Sequence, residues 1–173
     1  DHVMGSTTTG GETTPGTVKV GKGGEYANLD AVVMDAVNEL IDVVYQDDDD
    51  LVVICGRELL SDKYFPLVNK EQENSEKLAA DMIISQKRMG GLQAVRAPFF
   101  PPNALLITRL DNLSIYWQED TRRRSVIDNP KRDRIENFES VNEAYVVEDY
   151  RCAALVENIQ IGDFSAAAAE TGV

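Results

Sequence analysis

The spacing of apolar residues changes along the chain, from a helical period in the first half to a strand period in the second. Residues 29–45 are predicted to form one helix, because apolar side chains recur on one face and acids on the other. Asn28 is a good N-cap for it. The apolar positions are Leu29, Val33, Ala36, Leu40 and Val44.

Shorter patterns predict the remaining elements. Val18–Val20 alternates with polar neighbours as a strand does, and the run "LVVIC" at 51–55 is typical of a buried strand. Helices are predicted over 57–65, stopped or kinked by Pro66, and over 75–84. Further strands are predicted at 92–95, 104–108, 113–117 and 125–127 and in a segment through Tyr145 and Val147.

The order of these elements predicts an α+β fold, a mixed sheet with flanking helices, rather than a regular βαβ alternation. The prolines of "APFFPPN" (97–103) place that stretch in a loop or at a sheet edge. The small polar residues of "GSTTTGGETTPG" show no apolar period, so residues 1–16 are predicted to be a flexible segment before a domain at 17–164. Residues 165–173 are predicted to be a flexible tail. Because the chain starts with Asp1, we expect it to be a segment of a longer protein.

Charge narrows the range of partners. The chain has 17 Lys and Arg against 30 Asp and Glu, a net charge of −13. Such an excess of acids disfavours free duplex nucleic acid and anionic membranes as general partners. The longest apolar runs are far too short to cross a bilayer. Cys55 and Cys152 lie far apart without a C-x-x-C pair, so reduced cytosolic thiols are expected rather than a disulfide framework or a zinc site.

The segment "GTVKVGKG" at Gly16–Gly23 differs by one residue from a phosphate-binding loop, which would end in Lys followed by Ser or Thr. Gly23 removes the hydroxyl that holds magnesium. The residues between the glycines favour an extended strand, and the predicted helix starts too late for its N-terminus to face a phosphate. A glycine turn between a strand and a helix is the favoured interpretation, and a nucleotide-binding site is the alternative.

Two charged segments are candidate contact surfaces. The acidic run is Asp47, Asp48, Asp49 and Asp50, whose adjacent side chains diverge and lack the spacing of a calcium loop, so a solvated loop is favoured over a metal site. The basic segment 122–134 carries Arg122, Arg123, Arg124, Lys131, Arg132 and Arg134. Ion pairs within or between subunits, phosphate contacts and a plain solvated strand all stay open for it. No aromatic residue interleaves with these cations to favour base stacking.

Catalytic chemistry finds little support. His2 is the only histidine and lies in the segment predicted to be flexible, so no Ser-His or Cys-His pair and no histidine metal site can be built. We therefore predict no enzyme activity, no catalytic residues, no metal and no cofactor.

Longer strings carry a more specific signal. "VGKGGEYANLDAVVMDA" (20–36), "DLVVICGRELLSDKYFPLVNKEQENSEKLAADMIISQKR" (50–88), "NALLITRLDNLSIYWQED" (103–120) and "NPKRDRIENFESVNEAYVVEDY" (129–150) closely resemble the major capsid protein of tailed bacteriophages of the peduovirus group. The resemblance is collinear and runs from about Val20 to Phe164.

The resemblance implies an HK97-like capsid fold, with an axial domain and part of a peripheral domain. The chain resembles the C-terminal half of such a protein, whose N-terminal arm, extended loop and spine helix would lie upstream. The implied function is a structural subunit that self-assembles into pentamers and hexamers of an icosahedral shell around double-stranded DNA. The implied partners are further copies of the chain, a scaffolding protein with protease activity, a portal, and DNA bound without sequence specificity. The implied location is the virion capsid, with assembly in the host cytoplasm.

In such a shell the acidic run and the basic segment would belong to subunit-contact surfaces, where charge complementarity sets register. Two alternatives differ in what they predict. A nanocompartment shell protein of the same fold would enclose cargo enzymes in place of DNA. A nucleotide-binding domain built on Gly16–Gly23 would be stabilised by ATP and magnesium.

Overall fold

The computed structural model describes residues 2–9, 12–69 and 86–165. Chain contacts divide the protein into two units. The main unit comprises the residues up to Leu110 and those from Asp149 onward, and the hairpin unit is Asp111–Glu148. The helix predicted over 75–84 lies outside the described residues.

In chain order, the strands are β1 Val3–Met4, β2 Ser6–Thr9, β3 Glu12–Pro15, β4 Val18–Val20, β5 Leu51–Cys55, β6 Arg88–Met89, β7 Leu92–Arg96, β8 Leu105–Arg109, β9 Leu113–Trp117, β10 Arg123–Asn129, β11 Arg134–Ser140, β12 Glu143–Val147, β13 Ala153–Val156 and β14 Ile159–Ile161. The helices are α1 Leu29–Leu40, α2 Val43–Gln46 and α3 Arg57–Val68. Short 3₁₀ turns lie at Leu110–Asn112, Pro130–Arg132 and Tyr150–Cys152. No helix among the described residues has the length and apolar content needed to cross a membrane.

A six-stranded mixed sheet forms the centre of the main unit, in the order β1-β13-β8-β5-β7-β6. The β1–β13 and β5–β7 pairs are parallel, and the other neighbours are antiparallel. All five residues of β5 are buried, as expected for a strand paired on both edges and covered on both faces. The predicted mixed α+β architecture is confirmed.

The core of the main unit lies between α1 and one face of this sheet. Val32, Val33 and Ala36 of α1 are fully buried, and the helix lies against β13, β1 and β6. From the sheet, alternate residues of β5 enter the same core, as the period of a strand requires. The fully buried members with large side chains are Leu51, Val53, Met89, Leu105, Ile107 and Val156. Cys55 and Cys152 belong to this core and form no disulfide.

Helix α1 is shorter than its apolar period predicted. Asn28 caps it by accepting a hydrogen bond from the Ala31 N–H at 2.9 Å, as expected. Its end at Leu40 is not as expected, because Ile41 is extended and Asp42 caps the separate helix α2 through the Val44 N–H. The Asp42 N–H also donates to the carbonyl of Arg151 at 3.0 Å, a tertiary contact that holds the break open.

Other elements agree with the sequence to within a few residues. The strands β5 and β9 match the predicted limits, and residues 97–104 connect β7 to β8 as a loop with Phe99 fully exposed at a φ of 61°. Helix α3 ends at Val68 rather than at Phe65, so Pro66 does not end it. A proline costs a helix one backbone hydrogen bond, which the neighbouring turns of a longer helix can outweigh.

Strands occur near the start of the chain, where the sequence analysis predicted a flexible segment. β1 pairs in parallel with β13, placing Val3 opposite Leu155, and β2 and β3 form an antiparallel hairpin. β1 has only two residues, and the sequences of β2 and β3 are largely polar, so neither gave the apolar alternation from which a strand is predicted. The proposed limits of 1–16, 17–164 and 165–173 stay predictions.

The hairpin unit consists of two separate two-stranded antiparallel sheets. β9 pairs with β12, which places Ile115 opposite Tyr145, and β10 pairs with β11 over seven residue pairs from Arg123–Ser140 to Asn129–Arg134. Asn112 is the only buried residue of this unit. A short stretch of chain with no buried apolar side chain lacks a core of its own.

Candidate subunit-contact surfaces

The segment Gly16–Gly23 does not have the geometry of a phosphate loop. Its centre is strand β4, which pairs in parallel with β14, and α1 begins only at Leu29. Gly21 has a φ of 130°, and a Cβ there would lie 2.1 Å from the carbonyl oxygen of Gly162. The Gly21 N–H donates to the Tyr26 carbonyl at 2.7 Å. The glycines therefore serve a turn packed against the chain near β14, as the favoured interpretation predicted.

The acidic run lies between α2 and β5, and the structure gives its members different roles. Asp48 forms an ion pair with Arg109 at 2.9 Å and also accepts from the Asp50 N–H at 3.0 Å. Its carboxylate is therefore engaged within the chain. Asp47, Asp49 and Asp50 are exposed and stay candidates for a contact with another molecule. Within the described residues, no group of three His, Cys, Asp or Glu side chains is placed to hold a metal ion.

The basic segment forms the hairpin β10–β11, which turns through Pro130–Arg132 and Asp133, the last with a φ of 47°. Three of its six cations have partners within the hairpin. Arg122 pairs with Glu139 at 2.5 Å, Arg134 pairs with Glu136 at 2.7 Å, and the Arg124 Nε donates to Asn137 at 3.2 Å. Such exposed pairs stabilise a fold by at most about 1 kcal/mol.

Arg123, Lys131 and Arg132 have no ion-pair or hydrogen-bond partner within the part of the chain that the structure describes. All three are exposed. Lys131 and Arg132 lie together at the tip of the hairpin, whereas Arg123 lies at its base. The tip therefore carries two of the three cations of the basic segment that are available for another molecule.

Both faces of β10–β11 carry exposed apolar side chains, which sequence reasoning did not identify as a surface. Val126 and Ile135 lie on one face and are 60% and 73% exposed. Ile127 and Phe138 lie on the other and are 50% and 54% exposed. The signal was present in the adjacent apolar pair Val126-Ile127, because neighbouring residues of a strand point to opposite faces.

The sheet β9–β12 presents an aromatic face. Ile115, Trp117 and Tyr145 lie on the same face of the paired strands, and all are more than half exposed. The Tyr145 hydroxyl donates to Glu143 at 2.7 Å, and this bond to a carboxylate raises the pKa of the tyrosine. On the opposite face, the Tyr116 hydroxyl donates to Glu148 at 2.6 Å and lowers the pKa of that carboxyl.

A bend between β9 and β10 forms one wall of an open cavity of about 600 Å³, which we call the base cavity. The Gln118 N–H donates to the Asn142 carbonyl at 3.0 Å, and the Thr121 hydroxyl donates to the Gln118 carbonyl at 2.7 Å, so the bend is held in place. The cavity is lined by Trp117, Val141 and four acids, Glu119, Asp120, Glu139 and Glu143, with Arg122 as its single cation.

Nucleophilic chemistry finds no support among the cysteines. Both thiols are buried, and burial raises the pKa of Cys55 to about 11 and raises that of Cys152 as well. The thiols are therefore protonated at neutral pH, and the thiolate is the reactive form. The ring of His2 bonds the Leu40 carbonyl through Nδ1 at 2.8 Å.

These surfaces have the character of contacts between proteins. Large apolar side chains that stay exposed in neighbouring strands mark interaction sites in soluble proteins. In the hairpin unit they lie beside several cations and acids that have no partner among the described residues, which is the composition of an interface with a polar rim.

Comparison with known proteins gives a consistent result. The family model described as "Phage major capsid protein, P2 family" matches residues 1–159. The capsid protein of Escherichia phage P2 is 63% identical over 161 residues, which are 93% of this chain and 45% of that protein. The major capsid protein of Serratia phage KSP20 is 40% identical over 139 residues, covering 79% of this chain and 40% of that one.

Among solved structures, a chain of the satellite phage P4 procapsid that includes the size determination (Sid) protein matches with a TM-score of 0.82 and 58% identity. The match covers 95% of this chain and 48% of that one. The chain thus spans less than half the length of the relatives it matches, and the part of the P2 protein that it matches is C-terminal.

Proposed function

The chain belongs to the P2 family of phage major capsid proteins, with the HK97-like fold that its resemblance implied, and we propose that it is the C-terminal part of a shell subunit. In this proposal the complete protein assembles into pentamers and hexamers that tile an icosahedral shell around double-stranded DNA. The match of the family model to residues 1–159 carries the proposal.

The exposed side chains of the hairpin unit support assembly as the role of this part of the chain. Two small sheets with apolar residues on their faces are marginal in water and gain stability when other protein covers them. We propose that the upstream part of the same protein and neighbouring subunits provide this cover. The family is a structural one, and a shell subunit of this kind needs no catalytic residue.

The remaining partners follow from the same proposal. A scaffolding protein with protease activity would guide assembly in the host cytoplasm, and a portal would admit the DNA. The net charge of −13 argues against tight binding of the duplex by this part of the chain, since such binding needs many cations facing the phosphates, so in this proposal the shell encloses the DNA with weak contacts that carry no sequence specificity. The mature location would be the virion capsid.

Electron microscopy of particles from cells that express the complete reading frame with its scaffold gene tests the proposal. Closed shells of uniform size that contain or take up DNA are the expected result. Shells that copurify with enzyme cargo and exclude DNA would indicate a nanocompartment instead. Soluble monomers beside a functional scaffold would overturn the assembly function.

A further inference from the structure

We propose that the tip of the β10–β11 hairpin of one subunit binds in the base cavity of a neighbouring subunit. The tip is the segment Pro130–Arg134, and the base cavity is the one lined by Trp117, Glu119 and Glu143. This inference rests on the proposed shell function, because it specifies one contact between its subunits.

The base cavity has the chemistry to bind a cationic side chain. Trp117 is 69% exposed and forms an apolar wall beside Val141. Glu139 is bound by Arg122, but Glu119 and Asp120 have no partner within the described chain. A cation over an indole ring is favourable, and nearby carboxylates strengthen the attraction.

The tip has the complementary chemistry. Lys131 and Arg132 are exposed without a partner within the described residues, in a turn that begins at Pro130 and closes through Asp133 in the left-handed region. Arg134 next to them is held by Glu136. The turn therefore presents two cations together at one end of a paired hairpin.

The tip of a subunit cannot reach the base cavity of the same subunit. The tip and the base cavity lie at opposite ends of β10, Arg123–Asn129, which separates them by about 20 Å at the rise of a strand. The binding partner must therefore be a second copy. A contact between two different patches is heterologous and builds a ring when its rotation closes, which is the kind of contact a capsomer requires.

The apolar faces of the hairpin extend the contact beyond ion pairs. Surface ion pairs contribute little affinity and mainly fix register. When a tip enters a neighbour's base cavity, one of the two apolar faces of the hairpin, Val126 with Ile135 or Ile127 with Phe138, lies next to that neighbour, and its burial would supply the affinity.

The acidic run is the weaker candidate for the tip. Asp48 is engaged by Arg109, and the exposed Asp47, Asp49 and Asp50 do not line the base cavity. The base cavity offers unpaired acids, an exposed indole ring and a defined volume at one place.

Charge exchange in the full-length protein, expressed with its scaffold, tests the contact. Arg132→Glu and Glu119→Arg should each lower the yield of shells about tenfold or more, because like charges then face each other. The double variant should restore the yield to near that of the unmodified protein. The matched control combines Arg132→Glu with Asp49→Arg and should restore nothing.

Disulfide trapping tests the same contact in shells that have already formed. Oxidised shells of the Arg132→Cys, Glu119→Cys variant should give covalent dimers and larger oligomers on a non-reducing gel, and neither single variant should. The control pair Arg132→Cys, Asp49→Cys should give none. Cys55 and Cys152 are buried and should not contribute.

The outcomes separate this inference from the proposed function. Shells that assemble without crosslinks in the first pair, or yields rescued by Asp49→Arg instead of Glu119→Arg, would overturn the inference and leave the shell function in place. No shells from the unmodified protein would overturn the function itself.

Discussion

Two glycines of the main unit, Gly21 and Gly91, have positive φ values, but the backbone packs closely against only the first. Gly21 has a φ of 130° and faces the Gly162 carbonyl across the parallel pair β4–β14. For Gly91, with a φ of 86°, no described residue other than its chain neighbours has an atom within 4 Å of the position a Cβ would take. The two glycines thus share a positive φ but differ in their surroundings. Substituting each by alanine separates the cost of backbone strain from the cost of a steric collision.

We expect Gly21→Ala to lower the free energy of unfolding by about 3 kcal/mol, because the new methyl group collides with the backbone as well as straining it. Gly91→Ala is the matched control and should cost about 1 kcal/mol, from backbone strain alone. Urea denaturation followed by circular dichroism measures both. Equal losses for the two variants would contradict the packing argument.

The Asp149 carboxylate should make the stability of the fold decrease as the pH falls into the acid range. Hydrogen bonds from the Arg151 side chain and N–H, and from the Tyr45 hydroxyl at 3.0 Å, lower its pKa to about 2. An unfolded Asp titrates at about 3.9, so the stabilisation is present above that pH and is lost as pH falls towards 2. The difference in Tm between the protein and Asp149→Asn should therefore be constant above about pH 5 and shrink towards pH 2.

Carboxyl NMR titration of Asp149 measures the shift directly. Arg151→Gln is the control, and it should move the titration midpoint of Asp149 up towards the unfolded value of about 3.9. A midpoint that stays near its original value in Arg151→Gln would show that the guanidinium is not the cause.

Individual site residues could be selected from the sequence, but their partners could not. The sequence identifies all six cations of segment 122–134, but it does not show that Glu139 and Glu136 form ion pairs with Arg122 and Arg134. The same holds for Asp48, whose partner Arg109 is distant in sequence. Whether the remaining charges form subunit contacts stays a prediction.

At the scale of elements, the sequence predicted a helix or strand correctly where the residues of that element alone determine its structure. Asn28 and the apolar period placed the start of α1, and the five apolar residues of "LVVIC" placed β5. The break at Ile41 depends on the Arg151 carbonyl, which no local pattern reveals, although Asp42 was a visible cap signal. Strands β1 to β3 were not predicted because β1 is two residues long and β2 and β3 have no apolar alternation.

The cap of α1 gives a test at this scale. Asn28→Ala removes the acceptor of the Ala31 N–H and should lower the free energy of unfolding by about 1 kcal/mol. Asn38→Ala, within the same helix, is the matched control. It should be neutral or slightly stabilising, since alanine has the higher helix propensity. Thermal unfolding of both variants decides, and equal effects would rule out a role for the cap.

At the scale of the whole molecule, the hairpin unit is an insertion between two paired strands. β8 and β13 are antiparallel neighbours, with Thr108 opposite Ala153, and the chain leaves the main unit after Leu110 and returns at Asp149. All buried residues of the hydrophobic core belong to the main unit. The two ends of the insertion are therefore held by the sheet itself.

Replacing Asp111–Glu148 by a short Gly-Ser linker should leave the main unit folded, because the described residues of the hydrophobic core all lie outside the deleted segment and the loop between β8 and β13 becomes shorter. A dispersed amide NMR spectrum and a cooperative thermal transition would be the expected signs. The same deletion in the full-length protein should abolish shells. A deletion variant without cooperative unfolding would show that the main unit depends on the insertion.

The distribution of two rare residue types gives each unit its own spectroscopic reporter. Trp117, the single tryptophan of this sequence, is exposed in the hairpin unit, whereas Cys55 and Cys152 are both buried in the main unit. Indole fluorescence therefore follows the surroundings of the base cavity. Alkylation of the two thiols follows opening of the main core. Tryptophan fluorescence and thiol alkylation can therefore report the rates of change in the hairpin unit and in the main unit separately, without any introduced label.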